Sequence, residues 1–220
     1  MIKLYTDILD RLNPLESLSP RGEKRAALLS GQSDYAHSEL SPEQLNVLNH
    51  VKTYGYEVIT TGFPYNRAHR PDGACTRAKI IRASWRNISQ FILAMWSRRH
   101  QRVLATHLQP LFDQAEHVII LCQSQGIHML QRALPNLRIS PQTQVTVIAF
   151  GPVGYPCLSD SRCTLYVVKG RQDWISMRLD SHPVDHLIDA DHFDYFQRPF
   201  TLRLIGEIID HEDRLRRAAL

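Results

Sequence analysis

Apolar residues fall along this chain in two textures. Short continuous runs such as Val118-Ile119-Ile120-Leu121 have the length and β-branched content of buried strands, while others recur at three- and four-residue intervals and mark one face of a helix. The first texture predicts strands at about 25–29, 57–61, 118–121, 145–150, 165–169 and 184–188. The second predicts a helix over 2–12, stopped by Asn13-Pro14, and another from Ser41-Pro42-Glu43-Gln44 to about Thr53. A third starts directly after the 118–121 strand, with Ile127, Leu130, Ala133 and Leu134 on its apolar face. The longest stripe, Ile81, Trp85, Ile88, Phe91, Ile92, Met95 and Trp96, predicts one amphipathic helix. Pro110 is expected to open a last helical turn before Val118, and Pro199 the terminal helix carrying Leu202, Ile205 and Ile209. Strands alternating with helices imply an α/β class fold, a mostly parallel sheet covered on both faces.

Composition narrows the class. At 220 residues the chain suits one domain, with 1–24 as an N-terminal helical extension and 66–102 as a segment available for a small helical cap. Its hydrophobic content of 43% and charged content of 22% are those of a soluble globular protein, and no apolar run approaches the ~20 residues of a membrane span. The first seven residues lack the apolar centre of a signal peptide, which places the expected location in the cytoplasm. Cys75, Cys122, Cys157 and Cys163 form no C-x-x-C pair and are expected as free thiols. A net charge of +4 does not call for a nucleic-acid partner. Arg77, Lys79, Arg82 and Arg86, with Arg98, Arg99 and Arg102, do predict a basic surface, read first as a solvated helix face and second as a docking site for an acidic partner.

Candidate chemistry centres on Cys122-Gln123-Ser124-Gln125-Gly126, which joins the 118–121 strand to a helix without a spacer. A serine at so sharp a corner is exposed, and the residues two before and two after it must be small because the backbone passes itself closely. Gly126 meets that requirement, whereas Cys122 stands where glycine is usual and predicts a slightly wider turn. Ser124 is thus the candidate nucleophile. Asp173, in the Gly170-Arg171-Gln172-Asp173 turn after one strand, and His192, after the last, follow in the order Ser, Asp, His.

These motifs resemble the α/β-hydrolase superfamily over about residues 25–215, and the Ser-Gln-Gly core with Leu134-Pro135 is similar to a subset of bacterial hydrolase-like proteins of unsettled activity. The resemblance implies acyl transfer from a small-molecule ester or thioester to water or another acceptor through Ser124, with His192 as general base and Asp173 orienting it, and no cofactor. It also implies an oxyanion hole from backbone N–H groups of Gly31 or Gln32 and of Gln125. Phe63 and Tyr65, past the 57–61 strand, and Trp174, beside Asp173, are candidates for lining the substrate pocket; for Phe63 and Tyr65 core packing is the competing reading. The basic residues would then suit an acidic carrier protein. A catalytically silent interaction protein and an acyltransferase are the alternatives that the same fold accommodates.

Other constellations compete. Asp160, Asp180 and Asp191 are alternative acids, but none follows an apolar strand so directly as Asp173. His182, His186 and His192 with Asp189 and Asp191 could ligate zinc. No Walker A loop or G-x-G-x-x-G is present, and the strand-end place of Cys122 argues for packing over nucleophilic chemistry.

Overall fold

The structure, a computed structural model, describes residues 2–31, 38–69, 94–155 and 157–219. Six strands, β1 (Lys24–Ser30), β2 (Glu57–Val58), β3 (His117–Gln123), β4 (Gln144–Phe150), β5 (Cys163–Gly170) and β6 (His186–Ile188), form one all-parallel sheet in the order β2-β1-β3-β4-β5-β6. The three central strands β1, β3 and β4 are buried on both sides, which is why their sequences read as unbroken apolar runs rather than alternating ones. Both edges are short, two residues in β2 and three in β6, and so offer little ladder to another chain.

Successive residues of each strand supply opposite cores. Ala27, Leu29, Val118, Ile120, Cys122, Val145, Val147 and Ala149 face α1 (Ile2–Arg11), α3 (Arg98–Phe112) and α4 (Gly126–Ala133). Ala26, Leu28, Ile119, Leu121, Ile148 and Phe150 face α2 (Pro42–Lys52) and α6 (Pro199–Ala219). The short helix α5 (Trp174–Leu179) connects β5 to β6. The predicted capping box of α2 is present: Ser41 Oγ accepts Gln44 N–H at 3.3 Å and Gln44 Oε1 accepts Ser41 N–H at 2.9 Å. Among the described residues no helix is long and apolar enough to cross a membrane.

Several expectations change. The N-terminal segment joins the main core: Tyr5 and Leu9 are fully buried, and two histidines of α3 bind α1, His100 Nδ1 lying 2.9 Å from Thr6 Oγ1 and His107 Nε2 2.8 Å from the Leu9 carbonyl. Burial pulls the His100 pKa down to about 4, so it packs as a neutral ring. The strand expected over 57–61 stops at Val58, with only Ile59 N–H still reaching the Ala26 carbonyl, at 2.9 Å, before the chain turns away. The strand expected from 184 begins at His186, because Val167 N–H is taken by the Asp185 carboxylate at 2.7 Å. Pro110 lies inside the last turn of α3 rather than opening a turn. Its missing N–H is tolerated there because Thr106, the residue four before it, is solvent-exposed, and the Pro110 carbonyl is used by Ser19 Oγ and Arg25 Nη1. Of the expected amphipathic helix, Ile81, Trp85, Ile88, Phe91 and Ile92 lie outside the described residues, as do Arg77, Lys79, Arg82 and Arg86; residues 94–96 are helical.

Candidate active site

Strand β3 stays paired with both neighbours through Gln123, opposite Ser30 and Phe150, and then turns at Ser124. Ser124 has φ +53°, a left-handed conformation that costs a non-glycine residue about 1–2 kcal/mol. The surrounding bonds hold it there: Ser124 N–H donates to the Phe150 carbonyl at 3.1 Å and its own carbonyl accepts Val153 N–H at 3.0 Å. Helix α4 begins two residues later, with Gln125 at its N-cap. A Cβ on Gly126 would lie 1.9 Å from the Leu29 carbonyl oxygen, a backbone contact that cannot yield, which is the physical content of the small residue after the serine. The position before it is different. Cys122 is fully buried in the core, beside Leu29 and Ala149 in the ladder, and the strand pairing runs unbroken past it to Gln123. Burial pushes its thiol pKa far up, which makes it a poor nucleophile.

The turn serine, the β5 acid and the β6 histidine come together. His192 Nε2 lies 3.0 Å from Ser124 Oγ, and His192 Nδ1 lies 3.0 Å from both Asp173 Oδ1 and Oδ2. Asp173 is held as the N-cap of α5, where Oδ1 accepts Ser176 N–H at 3.0 Å, and Oδ2 accepts the Tyr195 hydroxyl at 2.7 Å. Burial raises its pKa, but the hydrogen bonds from His192, from Ser176 N–H and from Tyr195 outweigh burial and hold it well below the ordinary carboxylate range. With Asp173 charged, Nδ1 of His192 carries the proton and Nε2 is left to accept from Ser124.

A depressed folded-state pKa means that the unfolded chain binds the proton more readily. Asp173 therefore contributes stability that is complete above an ordinary carboxyl pKa of about 4 and is lost as pH falls toward its folded value. In urea titrations at a series of pH values, Asp173→Asn should be less stable than the parent at pH 7 and show a shallower loss between about pH 4 and pH 2. Parallel curves for the two proteins would contradict this assignment.

The other expected site residues are distributed unevenly. Gly31 and Gln125 meet: the Gln125 side chain lies so close to Gly31 that a Cβ there would be 2.1 Å from Gln125 Nε2. Gln32 lies outside the described residues. Phe63 and Tyr65 are corrected. Both are only 1% exposed; Phe63 meets Tyr65 and His107 edge-on, and the Tyr65 hydroxyl donates to the Leu28 carbonyl at 2.8 Å, so they fill the core beneath α3 instead of opening a pocket. Trp174 is 70% exposed next to Asp173, and Phe193, which sequence reasoning passed over, is 77% exposed with its ring edge-on to His192 at 5.3 Å. Also missed were Gln44, whose Nε2 donates to Gln123 Oε1 at 2.8 Å and fastens the turn to α2, and Tyr195. A helix-start motif announces the first only as a cap; nothing in the sequence marks the second.

The competing constellations do not assemble. Asp160 pairs with Arg162, Asp180 with Lys169 and His182, and Asp191 accepts Phe193 N–H, while His186 stacks on Tyr166. Among the described residues no three His, Cys, Asp or Glu side chains converge as a metal site. Of the expected basic surface, Arg98 and Arg102 are exposed, but Arg99 is engaged by Asp7 at 2.9 Å and Asp10 at 2.5 Å on α1.

No protein-family profile and no curated protein matches the chain. Among solved structures, it is similar to a protein of unknown function from Agrobacterium tumefaciens, provisionally described as an α/β-hydrolase, at 12% identity and a TM-score of 0.44, with 91% of this chain and 89% of that one covered. An all-parallel sheet layered on both faces, a left-handed serine between β3 and its helix, and an aspartate and a histidine after later strands make the architecture here an α/β-hydrolase fold.

Proposed function

We propose that this chain is a serine hydrolase that cleaves a small or medium acyl ester or thioester through an acyl-enzyme on Ser124. The observation that carries the proposal is the continuous set of 3.0 Å contacts from Asp173 through His192 to the oxygen of a serine held in a left-handed turn. Serine is a poor nucleophile at neutral pH, so His192 Nε2 would take its proton as Oγ attacks the carbonyl carbon. Asp173 would keep the Nδ1–H tautomer and stabilise the imidazolium that forms. The N–H groups of Gly31 and Gln125 would meet the tetrahedral oxyanion, a contribution of roughly 3–4 kcal/mol per donor. His192 would then protonate the leaving alcohol or thiol, and a water activated in the same way would release the acid. Trp174 and Phe193, exposed apolar rings next to the acid and the base, are the surfaces against which an acyl chain would lie.

A fluorophosphonate probe tests this directly: peptide mass spectrometry should find the label on Ser124, and a folded protein that leaves Ser124 unlabelled while a control hydrolase reacts would overturn the proposal. Turnover of p-nitrophenyl esters and acyl thioesters then defines the substrate. With Arg98 and Arg102 open to an acidic carrier, thioesters on such a carrier should turn over faster than neutral esters, by a margin that shrinks as salt rises. Equal rates at every ionic strength would leave a general carboxylesterase.

A further inference from the structure

Tyr195 sits in the short 3-10 turn Tyr195–Gln197, three residues past His192, with no solvent exposure. Its hydroxyl oxygen accepts Gly170 N–H at 2.6 Å and lies 2.7 Å from Asp173 Oδ2. A phenol has one proton to give, and the amide N–H can accept none, so that proton is directed to the carboxylate. We propose that Tyr195 is a positioning residue of the hydrolytic site: together with Ser176 N–H on Oδ1, its hydroxyl on Oδ2 aims both Asp173 oxygens at His192 Nδ1 and sets the basicity of the imidazole. The inference rests on the reading of Ser124, His192 and Asp173 given above.

The surroundings are shaped for this contact. Gly151, at φ +50°, passes where the phenol and the carboxylate meet; a Cβ there would lie 2.6 Å from the Tyr195 ring and 2.7 Å from Asp173 Oδ2. The ring packs edge-on against Phe150 at 6.1 Å, and the Tyr195 carbonyl accepts Thr201 Oγ1 of α6 at 2.6 Å. Strand β4, the β5 turn and the start of α6 thus fix one hydroxyl. Burial first, and then the hydrogen bond to Asp173 and its charge, push the phenol pKa far up, so the hydroxyl keeps its proton throughout the neutral range.

A donor on Oδ2 draws charge from the carboxylate and moderates its hold on the Nδ1 proton. The other charged groups near this turn are Arg171, Asp189 bonded to Gln172, Asp191, the Asp194–Arg198 pair, and the Lys169–Asp180 pair one residue before Gly170. All are retained when only the phenolic oxygen is removed. In Tyr195→Phe the carboxylate becomes more basic and binds the imidazolium more tightly, so the His192 pKa rises and the neutral, proton-accepting form appears only at higher pH.

NMR titration of the His192 ring in the full chain, assigned with His192→Gln, reads this without any substrate. Tyr195→Phe should raise the His192 pKa by about half a unit or more. On an ester, the acid limb of the rate profile should move by the same amount, with kcat lowered about tenfold and KM little changed. Because the Phe variant leaves Gly170 N–H bare and loses stability, 3-fluorotyrosine at position 195 is the companion: it keeps both bonds, donates more strongly, and should lower the His192 pKa. A folded variant of either kind with an unmoved titration, or two shifts of the same sign, would overturn the role of Tyr195. Opposite shifts in a parent protein that turns over no ester would uphold the positioning and reject the hydrolase reading; Ser124-dependent turnover with unmoved titrations would do the reverse.

Discussion

Ser124→Ala should abolish ester turnover, lowering kcat/KM by roughly 10⁴-fold or more, about 5.5 kcal/mol of transition-state stabilisation, while leaving the fold intact. Only the oxygen 3.0 Å from His192 Nε2 is removed, and the oxyanion donors and apolar rings remain to supply the residual rate. Stability should respond in a way that separates strain from chemistry. Alanine at φ +53° suffers the same clash as serine, so Ser124→Ala should unfold at nearly the same urea concentration as the parent. Glycine relieves it, and Ser124→Gly should be more stable by about 1 kcal/mol although equally inactive. A Ser124→Ala protein that keeps its turnover would place the activity elsewhere or in a contaminant. A Ser124→Gly protein less stable than Ser124→Ala would mean that the turn stores no strain.

That Ser124, Asp173 and His192 lie together was readable in the sequence because each follows an apolar strand, and parallel strands deliver their carboxyl ends to one edge of the sheet. Strand order did the rest. Tyr195 was not readable: a buried tyrosine in a 3-10 turn has no periodicity, and its target, Asp173, lies 22 residues earlier. Phe63 and Tyr65 were misassigned for a related reason. Aromatic residues just past a strand end look the same in sequence whether solvent or another helix covers them. Here the cover is α3, and its own partner α1 is held by two buried histidine contacts that no local pattern announces. Pro110 misled because proline usually marks a helix start, whereas this one sits two residues before the end of α3, where the carbonyl it leaves without an intrahelical donor belongs to the exposed Thr106. The apolar runs of β1, β3 and β4 were the opposite case, since burial on both faces leaves one continuous signal.

A second large effect lies outside the site, in a cluster the sequence hid because its members look like strand-end and loop polar residues. Lys169 Nζ lies 2.9 Å from Asp180 Oδ2, and Asp180 Oδ1 lies 2.6 Å from His182 Nδ1; all three residues are under a tenth exposed. His182 Nε2 accepts Leu158 N–H at 2.6 Å, so the ring is neutral with its proton on Nδ1, and the charge balance is one ammonium against one carboxylate. Gly154 bridges to Asp180 as well, so the cluster ties the end of β5 to the loop after β4, whose Val153 bonds the Ser124 carbonyl. Asp180→Ala would leave the Lys169 ammonium buried without its counter-charge. That should cost about 3–5 kcal/mol, a large part of a total stability of about 5–15 kcal/mol. Replacing both charges removes the unpaired ion: Lys169→Met combined with Asp180→Leu should recover most of the loss, falling short only by the orphaned Nδ1–H of His182. Urea denaturation at pH 7 of Asp180→Ala, of Lys169→Met and Asp180→Leu singly, and of the double variant measures both the loss and the coupling. An Asp180→Ala loss under about 1 kcal/mol, or losses that simply add in the double variant, would show that the pair is solvated in practice and that it does not brace the loop beneath Ser124.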